Sequence, residues 1–135
     1  MTPRQIWPPE ADGHRKHAWQ LAQQCVRVAD AAAKRIEAKQ IAEALIQLAD
    51  LQNQARQIEL AMESARVDAK RWGRTANDLR AKARRVAHQI VVETEVIKRK
   101  VKEEQFVEAL LDLAQEKGHS IEVQVLLVNA LLPPK

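Results

Sequence analysis

The residues of this sequence best suited to chemistry are the lysines and arginines of its second half. Residues 66 to 102 hold twelve Lys or Arg side chains and four acidic ones. Guanidinium and ammonium groups bind phosphate oxygens, and each neutralised phosphate releases counterions. Nine of these side chains form the predicted phosphate-binding set, which we call the basic stripe: Lys70, Arg71, Arg74, Arg80, Arg84, Arg85, Lys98, Arg99 and Lys102.

Most members of the basic stripe recur at fixed positions of a heptad repeat. With Ile41 and Ile90 at position a, the pairs 70–71, 84–85 and 98–99 all fall at positions b and c. These positions lie opposite the apolar seam of a helix. A repeat of 14 residues corresponds to about 21 Å along a helix.

Like charges four residues apart distinguish the basic stripe from an ordinary solvated helix surface, where opposite signs usually alternate. Such pairs occur at Arg66/Lys70/Arg74, Arg80/Arg84 and Lys98/Lys102. An anionic partner would relieve this repulsion, and a nucleic-acid backbone, RNA or DNA, is the favoured one. Two alternatives stay open. One is docking onto an acidic protein surface, such as residues 103–122 of a neighbouring copy, and the other is a surface that only promotes solubility.

The sequence shows no means of reading bases. It has no zinc-finger or helix-turn-helix spacing, and it has one Phe and no Tyr for base stacking. Trp72 falls in the apolar seam, which favours a packing role. We therefore expect binding to the phosphate backbone with little sequence preference.

Other reactive side chains are too scattered to form a catalytic or metal site. His14 and His17 could share a helical face, but Cys25 lies farther along and is more typical of a buried structural thiol. Three separated glycines cannot form a phosphate-binding loop. We predict a chain that is not an enzyme, with no metal, no cofactor and no small-molecule substrate.

Composition predicts an all-α fold. The 135 residues include 22 Ala and only 3% aromatics, and they suit one domain. Narrow Ala-lined seams bury little area, so we expect an elongated bundle of long antiparallel helices that assembles with copies of itself or with other subunits. The single Cys, the absence of an apolar leader and the short apolar stretch at 125–132 predict a cytoplasmic protein without a membrane partner.

The glycines suggest where the helices break. We predict helices at 14–52, 54–72, 76–117 and 121–132, with turns at Gly73 and Gly118. Thr75 is the predicted N-cap of the third helix, and Asp78 lies in its first turn. A second possible break lies at 37–40, where the apolar phase slips.

Two features of this organisation stay open. The apolar a/d pattern from Ile41 to Ile90 keeps its phase across Gly73, so a continuous helix is the alternative to a turn there. The 121–132 segment also alternates as a strand would, although helix is favoured.

The predicted domain is 14–132, with a flexible arm at 1–13 and a tail at 133–135. Ile6 and Trp7 in the arm are costly to leave in water, so docking onto a neighbouring subunit is an alternative.

Overall fold

The computed structural model describes residues 4–128 and 131–132, and the all-α class predicted from composition is confirmed. Five helices pack against one another in this part of the chain. They are α1 Pro9–Glu37, α2 Ile41–Ser64, α3 Ala69–Trp72, α4 Thr75–Lys102 and α5 Phe106–Leu127. Two short strands, β1 Arg4–Gln5 and β2 Leu131–Leu132, pair in an antiparallel register.

The four long helices form a ring around one core. α1 packs on α2 and α5, and α4 packs on the same two helices. Small side chains let the helices approach closely, since α1 buries a row of alanines: Ala11, Ala18, Ala22, Ala29 and Ala32. The buried Arg15 ties α1 to the end of α5, because its Nη1 donates to the Leu127 carbonyl oxygen at 2.5 Å.

The a/d seam predicted over 41–90 faces the core at most of its positions. Its fully buried members are Ala44, Leu48, Leu51, Ala55, Ile58, Met62, Ala65, Ala76, Ala83, Val86 and Ile90. Ala69 in α3 is exposed, and Trp72 and Leu79 are half-buried beside the core. The apolar period therefore identified the inward faces of α2 and α4.

The predicted break near residue 53 is wrong, because Leu51 and Gln52 are buried within α2. The chain turns instead over 38–40, the other candidate. Lys39 has φ 58°, which lets its N–H donate to Ile36 and the Gln40 N–H donate to Arg35. This is a Schellman turn, and such turns normally use glycine at the left-handed position.

The predicted break at Gly118 is also wrong, because this glycine lies inside α5. The turn falls at 103–105, where Glu104 has φ 59° and repeats the Schellman hydrogen bonds of Lys39. The third predicted helix, 76–117, is therefore two helices.

The turn at Gly73 is confirmed, and the continuous-helix alternative is excluded. α3 ends at Trp72, Gly73 adopts φ 81°, and α4 begins at Thr75. The Thr75 cap prediction is wrong, because Arg74 occupies the N-cap position and no side chain caps the helix. Asp78 lies in the first turn of α4, as expected.

The first and last described segments, β1 and β2, pair with each other, which the sequence did not indicate. Of the predicted arm at 1–13, the described part contains β1, the buried Ile6 and Trp7, and the start of α1. Trp7 packs in the core of its own chain, since an indole has a large apolar surface to remove from water. The 121–132 segment is helical to Leu127 and then contributes β2, while the predicted tail at 133–135 lies outside the described residues.

No helix in the described part of the chain combines the length and apolar character that crossing a membrane requires.

Candidate nucleic-acid interface

The basic stripe on α4 lies beside α2 rather than standing apart from the bundle. Arg80 Nη1 donates to the Met62 carbonyl oxygen at 3.0 Å, and His88 Nδ1 lies 2.8 Å from Glu59 Oε1. The partner number on α2 falls as the number on α4 rises, so the two helices run in opposite directions. This direction places the carboxylates of α2 next to the cations of α4.

Carboxylates of α2 partly offset the repulsion between the like charges of α4. Arg84 Nη2 lies 3.0 Å from Glu63 Oε1, and both side chains remain about half exposed. A comparison limited to residues four apart on one helix cannot detect such a pair, because its members come from different helices. The sequence pattern alone therefore did not indicate a carboxylate partner for Arg84.

Arg80 is half-buried, and its guanidinium makes hydrogen bonds within the bundle. Besides Met62, it donates from Nε to Asn77 Oδ1 at 3.2 Å. Burial, followed by the nearby charges of Arg66 and Arg84, lowers the pKa of Arg80. Since the Met62 carbonyl belongs to the last turn of α2, the guanidinium satisfies a helix end. Arg80 therefore has a structural role that the sequence pattern did not indicate, and its part in phosphate binding stays a prediction.

Lys98 is likewise held by α2. Its Nζ donates to Gln52 Oε1 at 3.0 Å and lies 3.6 Å from Glu95 Oε2. The buried Gln52 also donates to the Val91 carbonyl and to Glu95 Oε2, each at 3.0 Å. The Gln52 hydrogen bond, then the Lys98 charge, lowers the pKa of Glu95. Lys98 is therefore part of a cross-helix network.

The other six members of the basic stripe are exposed, and none has a carboxylate partner among the described residues: Lys70, Arg71, Arg74, Arg85, Arg99 and Lys102. They do not form one patch. The first three lie on α3 and at the start of α4, whereas Arg99 and Lys102 lie in its last turn. Arg74 and Lys102 are about 42 Å apart along the helix axis.

The end of the basic stripe at α3 holds a group of basic side chains that form no ion pair in the described structure. Arg66 joins Lys70, Arg71 and Arg74 there, and all four are exposed. We call these four residues the basic corner. The Arg71 guanidinium lies 5.8 Å from the centroid of the Trp72 ring, which is within range of a cation–π contact.

Two side chains fix the backbone of the basic corner. Asp68 accepts a hydrogen bond from the Lys70 N–H at 3.0 Å and caps α3. Asn77 of α4 accepts from the Val67 N–H at 3.1 Å and donates to the Val67 carbonyl at 2.6 Å. The position of these cations is therefore set by the fold.

A groove of about 560 Å³ runs between α2 and α4 next to the basic corner. Its lining residues are Glu59, Arg80, Ala81, Arg84, Arg85, His88 and Gln89. His88 is exposed and lines this groove. Arg66 and Gln89 were missed, since Arg66 appeared only as a like-charged neighbour and an amide gives no charge signal.

Cys25 and Glu116 are the reactive groups of the interior. Cys25 is buried as predicted, and burial, with Glu116 and Asp50 nearby, raises the pKa of its thiol to about 12. Within the described residues, no three His, Cys, Asp or Glu side chains are placed to share a metal ion.

Glu116 was not anticipated, because an apolar-period analysis expects no acid inside a bundle. Its side chain is fully buried, and neither carboxyl oxygen has a hydrogen-bond partner in the described structure. Burial, followed by the charge of Glu93, raises the pKa of Glu116 to about 8. The carboxyl group is therefore mostly neutral at pH 7.

Comparisons with known proteins give no relative from which a function could be transferred. No family model matches the chain, and neither the curated proteins nor the solved structures include a match to it.

Proposed function

We propose that this chain is a non-enzymatic helical subunit that binds the phosphate backbone of RNA or DNA with little sequence preference. The observation that carries the proposal is the basic corner, where Arg66, Lys70, Arg71 and Arg74 are exposed and have no carboxylate partner among the described residues. A polyanion relieves the mutual repulsion of these charges and releases counterions when it binds.

The exposed cations trace a path along α4. From the basic corner the path passes Arg85 and ends at Arg99 and Lys102, over about 42 Å. That length corresponds to roughly 12 nucleotide steps of a B-form strand. Half-buried Trp72 offers at most one stacking surface, which favours contacts to phosphates over contacts to bases.

The bundle serves as the rigid support in this proposal. The buried a/d side chains of α2 and α4 interlock in the manner of a coiled coil, and long antiparallel helices give an elongated body. The subunit works in the cytoplasm within a larger nucleoprotein assembly, without a cofactor or a small-molecule substrate.

A second candidate is an adaptor whose basic stripe binds an acidic protein surface. The pairs Arg84–Glu63 and His88–Glu59 favour it, because they show that carboxylates fit against α4. Phosphate is preferred because the four side chains of the basic corner form no ion pair with a carboxylate among the described residues.

Fluorescence anisotropy with labelled single- and double-stranded RNA and DNA tests the proposal at about 50 and 200 mM salt. The variant Arg71→Glu/Arg74→Glu should bind at least about 10-fold more weakly. The matched control is Arg27→Glu/Lys34→Glu on α1, which makes the same charge change at exposed positions. The control should lose much less affinity.

Two results would contradict the proposal: no binding at low salt, or equal losses in the two variants. Binding of polyglutamate in the absence of any nucleic-acid binding would favour the adaptor instead.

A further inference from the structure

The outward face of α5 carries an apolar heptad pattern that the bundle does not use. Seven exposed residues follow alternating steps of four and three: Val107, Leu111, Ala114, Gly118, Ile121, Val125 and Val128. We call them the α5 outer seam. The opposite face of α5 is buried through Ala109, Leu113, Val123 and Leu127. The helix is therefore apolar on two sides.

The large side chains of the α5 outer seam are among the most exposed apolar groups described. Val107 is 69% exposed, Leu111 67% and Val125 69%, and Ile121 and Val128 add to the same strip. Single exposed apolar residues are common on proteins, whereas contiguous apolar strips mark interaction sites. A spacing of 3.5 residues is the spacing with which one helix packs along another.

No contact within the described part of its own chain requires a glycine at position 118, at the centre of the α5 outer seam. A Cβ atom added there would meet nothing within 4 Å. Glycine within a helix costs about 1 kcal/mol relative to alanine. Together with Ala114, one turn earlier, it makes a small-residue gap in the strip. Such a gap permits the backbone of a second helix to approach closely.

We propose that the α5 outer seam binds the same seam of a second copy of this chain. The two α5 helices lie parallel and cross where Ala114 and Gly118 meet their counterparts. The interface is then isologous, with its two-fold axis along the helices.

The charges beside the seam favour a parallel over an antiparallel pair. In a parallel pair, Lys117 at position g faces Glu122 at position e of the second copy. In an antiparallel pair, Glu108 would face Glu122 of the second copy, and like charges would oppose each other. Lys117 already contacts Asp30 Oδ1 at 2.8 Å, and its three N–H groups allow it to serve both carboxylates.

The fold lowers the entropic cost of this association. α5 is held helical by its buried face, so pairing orders no new backbone. The strip is about 33 Å long, and stable interfaces bury about 800 Å² per partner. The apolar strip forms the centre of the interface, and the flanking Glu108, Gln115 and Glu122 form its rim and add to the buried area.

The paired arrangement leaves the basic corner open. α5 packs on α1 and α4 but lies across the ring from α2, so the groove between α2 and α4 faces away. The inference does not depend on nucleic-acid binding, since sizing the purified chain without nucleic acid tests it separately.

Light scattering coupled to size exclusion tests the pairing. The full chain should have twice the 15.3 kDa mass of one copy. Leu111→Asp/Val125→Asp should weaken dimerisation at least about 100-fold and give monomers with unchanged circular dichroism. The matched control Ile46→Asp/Leu60→Asp alters α2 residues that are 68% and 60% exposed and should leave the mass unchanged. A monomeric wild-type chain at micromolar concentration, or equal masses for both variants, would overturn the proposal.

Two further variants test the crossing point and the direction of the pair. Gly118→Leu should abolish dimerisation and still raise the unfolding temperature of the monomer, because nothing in the chain opposes a side chain there. In a Cys25→Ala background, Val107→Cys should form a covalent dimer under mild oxidation. An antiparallel pair with Glu108 facing Glu122 would hold the two Val107 positions about 24 Å apart along the helix axis, so absence of cross-linking in a dimer would overturn the parallel arrangement.

Discussion

Glu63 Oε1 of α2 lies 3.0 Å from Arg84 Nη2 of α4, so an acid already occupies part of a surface whose sequence is strongly basic. Both side chains are about half exposed, and surface pairs of this kind contribute little to stability. Their main effect is on the charge that α4 presents. Glu63 reduces the attraction of Arg84 for an external anion.

Glu63→Gln should therefore strengthen nucleic-acid binding about threefold, because the amide retains the shape and releases the Arg84 charge. Fluorescence anisotropy at low salt measures the change, and the unfolding midpoint should stay constant. Glu43→Gln is the matched control, since it makes the same charge change at an exposed position of α2 that has no partner on α4 in the described structure. Equal gains in both variants would mean that only net charge matters.

Arg80 and Arg85 have different surroundings although the sequence places both in the basic stripe, since Arg80 is half-buried and Arg85 is exposed. Arg80→Ala removes donors to the Met62 carbonyl and Asn77, and it should lower the free energy of unfolding by about 1–3 kcal/mol. Exposed Arg85→Ala should stay within about 0.5 kcal/mol of wild type and weaken nucleic-acid binding. Urea denaturation compares the two. Similar stabilities would contradict the capping role of Arg80.

The sequence predicted the inward faces of the helices better than their ends. Periodicity depends on burial, and positions such as Leu48 and Ile58 are buried as expected. The turn at Glu104 was missed, and the turn at Lys39 was only the second candidate. Neither residue is the glycine that a left-handed turn usually carries. The turn predicted at Gly118 was wrong for the converse reason, because this glycine lies within a helix and ends none.

The candidate site was predictable only in part. Exposed cations such as Arg71 and Arg74 follow from their heptad positions. The contacts of Arg84 and Lys98 depend on which residues of α2 lie opposite, and that register is a tertiary property.

Trp7 should contribute strongly to stability although it lies only seven residues from the start of the sequence. Its side chain is fully buried in the core. Trp7→Ala should lower the free energy of unfolding by about 3–5 kcal/mol, through lost burial and the cavity that remains. Trp72→Ala, at a half-buried position, should cost less. An equal or smaller loss for Trp7→Ala in urea denaturation would contradict the packing of this segment.

The Cys25 thiol should resist modification in the folded chain. Burial raises its pKa to about 12, so on the order of one thiol in 10,000 is ionised at pH 8. A thiol-specific colorimetric reagent should react with the native protein only as fast as the chain unfolds. The same protein in denaturant, where its single cysteine reacts completely, is the control. Prompt labelling of the native state would contradict the buried position.

Glu116 makes the stability of the bundle depend on pH. Its pKa is about 8 when folded and near the ordinary 4.5 when unfolded. Below pH 4.5 both states hold the proton. Between these values the unfolded state ionises while the folded state stays neutral, so stability falls as pH rises, by roughly 3 kcal/mol at pH 7.

Glu116→Met should remove this dependence, because methionine fills a similar volume without an ionisable group. The variant should be more stable than wild type at every pH above 5, and its advantage should grow up to about pH 8 and then level off. Urea denaturation followed by circular dichroism from pH 5 to pH 8 measures the difference. Glu43→Met, at an exposed position of α2, is the control and should show no growing advantage. Parallel stability curves for wild type and Glu116→Met would show that the carboxyl group is hydrated in the folded chain.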